Sequence, residues 1–308
     1  VITVLCGGVG AARYLRGLVQ VVPPADIAAI VNVGDDSDIH GLRICPDLDT
    51  CTYTLADAIN PETGWGLAGE TWQARETLAR YDESRTWFGL GDRDLGTHLY
   101  RTGRLAEGAS LTEVTTAIAR GWGIEIALLP VTDDRVETRV HLKGQVQDVG
   151  FQDYFVRLQH SVPIASVRFA GSSRSRPTAA VMAAIRDADR IVIAPSNPIV
   201  SIGPILAIPG VRSMLAARRS SIVAISPIVA GAALKGPADR MLVELGHEAS
   251  VVGVARLYNE IANTLVIDEA DAALAPQVEA AGMRCIVAPT IMSDPPKAAA
   301  LAQVTLQA

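Results

Sequence analysis

The chain has 308 residues, of which 49% are hydrophobic, 19% charged and 5% aromatic, and it carries a formal net charge of −6 at pH 7. So large an apolar fraction excludes a disordered protein, which lacks the buried surface to offset its ordering entropy. The acidic balance argues against nucleic acid as a partner, because binding free phosphates calls for a basic face; a local arginine pocket for one small anion stays open.

The apolar run Val1 to Cys6 has no basic segment before it and two glycines after it, so it reads as a buried strand and not as a signal peptide. Gly7-Gly8-Val9-Gly10 follows, then a helix over Ala11 to Val21 with Leu15, Leu18, Val19 and Val22 at helical spacing, stopped by Pro23-Pro24. Ile27 to Val33 is a second apolar strand ending at Gly34-Asp35-Asp36. Strand, glycine turn, helix and strand make a βαβ opening, from which a parallel sheet follows. Residues 50–125 then read as a largely helical insertion, with helices at Tyr53 to Ile59, Thr71 to Leu78 and Leu111 to Arg120, and with Trp65, Trp72, Trp87 and Trp122 packing it. Ile124 to Leu129 and Val136 to Leu142 read as a strand pair, Gly144 to Gly150 as an exposed loop and Phe151 to Gln159 as a short helix.

The α/β rhythm returns with a helix at Ala179 to Ala188 and a strand at Arg190 to Ala194, ending in Pro195-Ser196-Asn197-Pro198. Ile205 to Ile208 and Val211 to Ala217 read as helical, Ser221 to Ile225 as a strand and Ala238 to Leu245 as a helix. Val251 to Val254 reads as a strand, Val254 to Ile261 as a helix, and Thr264 to Ile267 and Cys285 to Ala288 as the last strands. The expected fold is α/β: one domain over 1–308, a Rossmann-like parallel sheet flanked by helices, with its ligand crevice at the carboxyl edge. No run approaches the roughly 18 to 20 apolar residues of a bilayer span. The cysteines Cys6, Cys45, Cys51 and Cys285 form neither a CxxC pair nor a disulfide framework. A cytoplasmic protein with no membrane partner is expected, and the apolar fraction fits a homodimer.

Glycines between a strand and a helix let backbone N–H groups approach a phosphate, aided by the helix dipole, and Arg13 and Arg16 stand one turn further on. The spacing is neither GxGxxG nor a P-loop. Asp35-Asp36-Ser37-Asp38 and Pro46-Asp47-Leu48-Asp49-Thr50 bring clustered hard oxygens suited to magnesium, which commonly takes one or two carboxylates plus phosphate oxygens. The competing explanation is a solvated acidic loop with aspartates capping helices. Gly91-Asp92-Arg93-Asp94 taken alone is an exposed turn with ion pairs, and His40 and His98 are lone histidines with acid–base potential. Asn197 suits a base edge or ribose, and the serines beside it suit phosphate.

Taken together, GGVGAARYLRGL, VNVGDDSDIHGLRICPDLDTCTYTLAD, GLGDRD, APSNPIVSIGPIL, SPIVAGAALKGPADRM and GVARLYNEIANTLVID resemble the CofD/FbiA family, in order from Val1 to about Asp268. The resemblance implies a magnesium-dependent transferase of coenzyme F-420 biosynthesis. Its donor is a guanosine diphosphate ester of 2-phospholactate or phosphoenolpyruvate, and its acceptor is the ribityl hydroxyl of the deazaflavin Fo. The products are F-420-0 or its dehydro form, and GMP. On this resemblance Gly7, Gly8, Gly10 and Arg13 hold the donor's diphosphate, and Asn197 and Ser201 its guanosine end. Asp36, Asp47 and Asp49 are the metal candidates, Asp49 is also an Fo contact, and Arg93 contacts Fo or the transferred phosphate. The arginine-rich, lysine-poor composition inclines the choice of donor to the enolpyruvyl form. The rival readings are a non-enzymatic nucleotide-sugar-binding regulator on a related fold and, from the βαβ opening alone, a nicotinamide oxidoreductase.

Overall fold

The computed structural model describes residues 1–308. Strand β1 (Ile2–Cys6) leads into helix α1 (Gly8–Leu18), and β2 (Ile27–Val31) into a hairpin of β3 (Ser37–Ile39) and β4 (Leu42–Ile44). Helices α2 (Pro46–Leu55), α3 (Gln73–Tyr81), α4 (Asp94–Ala106) and α5 (Leu111–Gly121) precede β5 (Ala127–Pro130). Next come β6 (Glu137–Leu142), β7 (Asp148–Gly150) and β8 (Ile164–Ala170), then α6 (Ala179–Asp187) and β9 (Arg190–Ile193). Helices α7 (Gly203–Leu206) and α8 (Val211–Ala217) lead to β10 (Ile222–Ile225) and a small hairpin of β11 (Ile228–Val229) and β12 (Ala232–Ala233). The chain ends with α9 (Ala238–Glu244), α10 (Val251–Tyr258), β13 (Thr264–Ile267), α11 (Ala275–Ala280), β14 (Arg284–Val287) and α12 (Pro295–Gln307).

Seven strands form one parallel sheet in the order β14-β13-β10-β9-β1-β2-β5. The central strands are short continuous apolar runs because helices cover both faces of the sheet. The chain builds outward from β1 to β2 and β5, then returns to place β9 on the other side of β1. The β1/β9 boundary is thus the topological switch point, beside which open α/β sheets commonly bind ligands. Helix α1 packs closely on α12: a Cβ on Gly17 would lie 2.3 Å from the Ala298 carbonyl carbon, and Tyr14 and Thr305 share a buried 2.6 Å hydrogen bond. No single helix is long and apolar enough to cross a membrane.

Several elements differ from expectation. The segments 124–129 and 136–142 do not pair: β5 is an edge of the main sheet, while β6 is the centre of a separate antiparallel sheet β7-β6-β8. That sheet has its own apolar cluster of Val140, Leu142, Phe151, Tyr154 and Ile164, closed by Val200 and Met241. Residues 148–150 are a strand rather than loop, while the expected short helix over 151–159 is present over 151–157, its Asp153–Arg157 part as a π-helical turn. The segment 251–254 is helix, since the Ser250 side chain accepts from the Val252 and Gly253 amides and starts α10 there. Helix α2 begins at Pro46, so Asp47 and Asp49 lie in its first turn, where proline and acidic residues suit a helix N-terminus. The four tryptophans form no common core: Trp65 is half exposed, and Trp122 meets Tyr53 edge-on with centroids 5.6 Å apart.

Candidate functional site

At the switch point the loops that leave β1 and β9 are in close backbone contact. A Cβ on Gly7 would lie 2.5 Å from the Ser201 Cβ, and one on Gly10 would lie 2.3 Å from the Pro195 carbonyl oxygen. The glycines therefore let the β1–α1 turn press against the segment that follows β9, a contact tightened by the Ser196 hydroxyl donating to the Gly7 carbonyl at 2.8 Å. Gly10→Ala should lose about 1–3 kcal/mol of stability through overpacking against backbone that cannot swing aside. Chemical unfolding checks this, and an unchanged midpoint would contradict the contact.

Asp47 is buried at the head of α1. Its two oxygens accept from the Gly8 amide and from Asn32 Nδ2, both at 2.8 Å. One of the amides expected to cradle phosphate is thus already occupied by a carboxylate, the N-cap residue Gly7 having no side chain of its own to offer. Burial raises the Asp47 carboxyl to about 6 against the pull of those two hydrogen bonds. Burial, and next the charge of Asp47, also raise Asp35. Burial raises Asp36 to about 7, opposed by Arg43 at 3.2 Å and by the Cys45 thiol donating at 3.1 Å. One oxygen of Asp35 and one of Asp36 are buried without a hydrogen-bond partner. An excess of negative charge and unused carboxylate oxygens fits a hard divalent cation.

Asp36, Asp47 and Asp49, the expected magnesium ligands, do not converge as a set, and no three His, Cys, Asp or Glu side chains do. Asp49 is engaged elsewhere: the Arg101 guanidinium grips both its oxygens, Nη1 at 3.1 Å from Oδ2 and Nη2 on Oδ1. Arg101 is 1% exposed and sits on α4, whose only buried residues are His98 and Arg101. His98 Nδ1 lies 3.2 Å from Arg101 Nη1, and its Nε2 lies 3.2 Å from Asp94 Oδ2. Because arginine can only donate, Nδ1 is the acceptor and the ring proton sits on Nε2, facing Asp94. Tyr53 donates to the other Asp94 oxygen at 2.5 Å. Asp94, His98 and Arg101, spaced i, i+4 and i+7 on one helix face, are the signal in the sequence that could have revealed this network. Arg93 lies at the exposed start of the same helix, with its guanidinium on the Ala68 carbonyl. Glu70 accepts from the amides of Arg93 and Asp94, both at 2.8 Å.

Two clefts open here. The first, 180 Å³, is lined by Val9, Arg13, Arg16, Asn60, Gly64 and Ser293. Lys235 reaches its rim, donates to the Thr63 carbonyl at 3.2 Å, and has its ammonium pKa pushed down by partial burial and by Arg13. Two cations facing each other in this way favour an anion between them. The sequence reading gave Lys235 no role. The second cleft, lined by Asn60, Trp65, Glu70, Trp72 and Asp94, shares Asn60 with the first as a lining residue. Asn197 and Ser201 line neither: the Asn197 side-chain Oδ1 accepts from Ile199 N at 2.9 Å and Val200 N at 3.4 Å, and Ser201 lies beneath Gly7.

The chain is similar to known proteins along nearly its whole length. The family model for 2-phospho-L-lactate transferase CofD matches residues 2–288. A protein of Streptomyces griseus named phosphoenolpyruvate transferase is 45% identical, over 99% of this chain and 97% of its own. One of the same name from Mycobacterium avium is 43% identical, over 99% and 98%. Among solved structures, a UPF0052-family protein from Bacillus halodurans superposes with a TM-score of 0.63 at 17% identity, covering 99% of this chain and 98% of that one, a likeness of fold.

Proposed function

The chain belongs to the 2-phospho-L-lactate transferase CofD family, transferases of coenzyme F-420 biosynthesis, and from that premise we propose that it moves a phosphoenolpyruvyl group from a guanosine diphosphate ester to the ribityl hydroxyl of Fo. The observation that carries the choice of donor is the set of relatives named phosphoenolpyruvate transferase, 43–45% identical across 99% of the chain. The acceptor oxygen bonds to the phosphorus bearing the enolpyruvyl group. The bridging P–O bond to GMP breaks, and the hydroxyl proton passes to solvent or to a site carboxylate. The products are dehydro-F-420-0 and GMP.

In this reading the diphosphate lies in the first cleft, between the head of α1 and the side chains of Arg13 and Lys235, and the acceptor enters through the second. Nucleophile and phosphorus come together at Asn60, which lines both, so most of the rate enhancement comes from alignment and charge neutralisation. Asp47, with Asp35 or Asp36 as a second carboxylate, would hold magnesium, which takes one or two carboxylates and would supply charge neutralisation on the phosphates; the three do not converge on one point. Asp49 acts from behind, fixing Arg101 and hence the position of α4. Arg93 holds the 68–70 loop at the acceptor side, and Asn197 and Ser201 support the floor beneath the glycine turn, leaving the guanosine to the cleft rim.

Initial rates of GMP release from the two donor esters test the assignment. The enolpyruvyl ester should be preferred by about tenfold or more, the scale on which a pocket separates such close analogues. A faster rate with the lactyl ester would reverse the choice.

The carboxylates give a second check that does not need turnover. Their native pKa values lie above those of the unfolded chain, so between about pH 4 and pH 7 the unfolded state releases protons that the native state keeps. That part of the metal-free protein's stability is present at low pH and is lost as pH rises through this window. Magnesium, by neutralising the same carboxylates, should raise the melting temperature more at pH 8 than at pH 5.5. An equal shift at both values would place the ion elsewhere.

A further inference from the structure

Trp65 is 51% exposed although it lines the second cleft. An indole left in water at a cleft edge is a large apolar surface with no partner in the fold. It is nonetheless held firmly. The Thr63 hydroxyl accepts from the Trp65 amide at 3.3 Å and donates to its carbonyl at 2.7 Å, and Gly64 and Gly66 on either side take φ of +76° and +70°. Asn60 braces the same loop, its amide donating to the Gly66 carbonyl and its carbonyl accepting from Gly64. Behind the indole the cleft holds only 30 Å³, between Glu70, Asp94 and Trp72, and Trp72 lies against Gly89, where a Cβ would be 3.3 Å from its ring. That space takes hydroxyl-sized groups and no ring. A planar molecule with a hydroxylated chain therefore fits in one orientation, with its ring on the lip and its chain inside, directed toward Asn60 and the first cleft.

We propose that Trp65 is the stacking platform for the planar ring of the acceptor, with the polyhydroxyl chain threaded past Glu70 and Asp94 toward the reacting phosphate. The inference rests on the reading of Fo as acceptor. It adds a specificity-determining residue, because an acceptor with the same chain and no aromatic ring would lose the platform.

The test compares wild type, Trp65→Phe and Trp65→Ala, using Fo as the probe in two assays: steady-state transfer, and quenching of tryptophan emission. Removing a stacking platform typically weakens binding by about tenfold or more. Trp65→Ala should therefore raise the KM for Fo about tenfold and reduce the quenching, while kcat and the donor KM stay within about twofold; Trp65→Phe should recover most of the loss. If Trp65→Ala leaves the KM for Fo unchanged in a chain that turns Fo over, the platform is wrong and the transferase reading stands. Equal rises in both KM values, or a fall in kcat alone, would mean Trp65 shapes the loop and does not stack the ring. A wild-type chain that neither binds nor converts Fo would overturn the reading and the platform together.

Discussion

Arg101→Met is expected to destabilise the protein by about 3–5 kcal/mol, because it leaves the Asp49 carboxylate buried with its main counter-charge removed. A loss of that size lowers the melting temperature by on the order of 10 °C. Arg101 also anchors α4, which carries Arg93, Asp94 and His98, so turnover should fall by about 10²-fold even where the variant remains folded, the scale of a misplaced reacting group. The double variant Arg101→Met with Asp49→Leu separates the two effects. Removing both charges should recover most of the stability and little of the activity. Equal recovery of both, or a melting temperature unmoved by the single change, would show that the pair does not act as described.

Asp47→Asn is expected to cost about 1–3 kcal/mol of stability and to act most strongly on catalysis. An asparagine oxygen can still accept from Gly8, although its amide then faces the Asn32 amide, donor against donor. The carboxylate charge is lost, and with it a group that would hold magnesium at the phosphates. Turnover should fall by about 10²–10³-fold, the scale of deleting one electrostatic contact to a developing charge. Binding of GDP in the presence of magnesium should also weaken, and isothermal titration reads that independently of turnover. If the variant kept full activity at micromolar magnesium, Asp47 would have to be removed from the metal site.

The main sheet was legible in the sequence for a physical reason. Strands buried on both faces read as apolar runs, and β1, β2, β10 and β13 are each followed directly by glycine, asparagine, serine or aspartate, β9 by Ala194 and then Pro195. The small sheet was not legible in the same way. Four of the seven residues of β8 are partly buried or buried and three exposed without clean alternation, and β7 has only three residues. Helix α4 escaped notice because its fully buried residues, His98 and Arg101, are polar or charged, while Leu95 and Leu105 pack inward only partly buried, so hydrophobic spacing marks it weakly. Helix α10 was half misread since Val251-Val252 favours a strand by side-chain shape, whereas the Ser250 cap decides for helix.

The site was legible to the extent that its residues are local. The glycine turn, the acidic segments and the first arginine of α1 all appear at the crevice or beside it. What could not be read was partnership across long separations. Asp49 looks like a metal ligand until Arg101, 52 residues away, is seen gripping it. Gly8 looks like a free phosphate donor until Asp47 is seen accepting from its amide. Asn197 looks like a base-reading side chain, and its side-chain oxygen is engaged by its own turn.

The central claim is a transfer to Fo, and the mass of the Fo product tests it most directly. Purified protein is incubated with Fo, magnesium and the guanosine diphosphate ester of phosphoenolpyruvate, and the deazaflavin products are separated and weighed by mass spectrometry. The account predicts one new species, Fo bearing a single phosphoenolpyruvyl group in phosphodiester linkage, formed mole for mole with GMP and absent when magnesium is chelated. Release of GMP with Fo recovered unchanged would contradict it, since the donor would then be passing its group to water or to another acceptor.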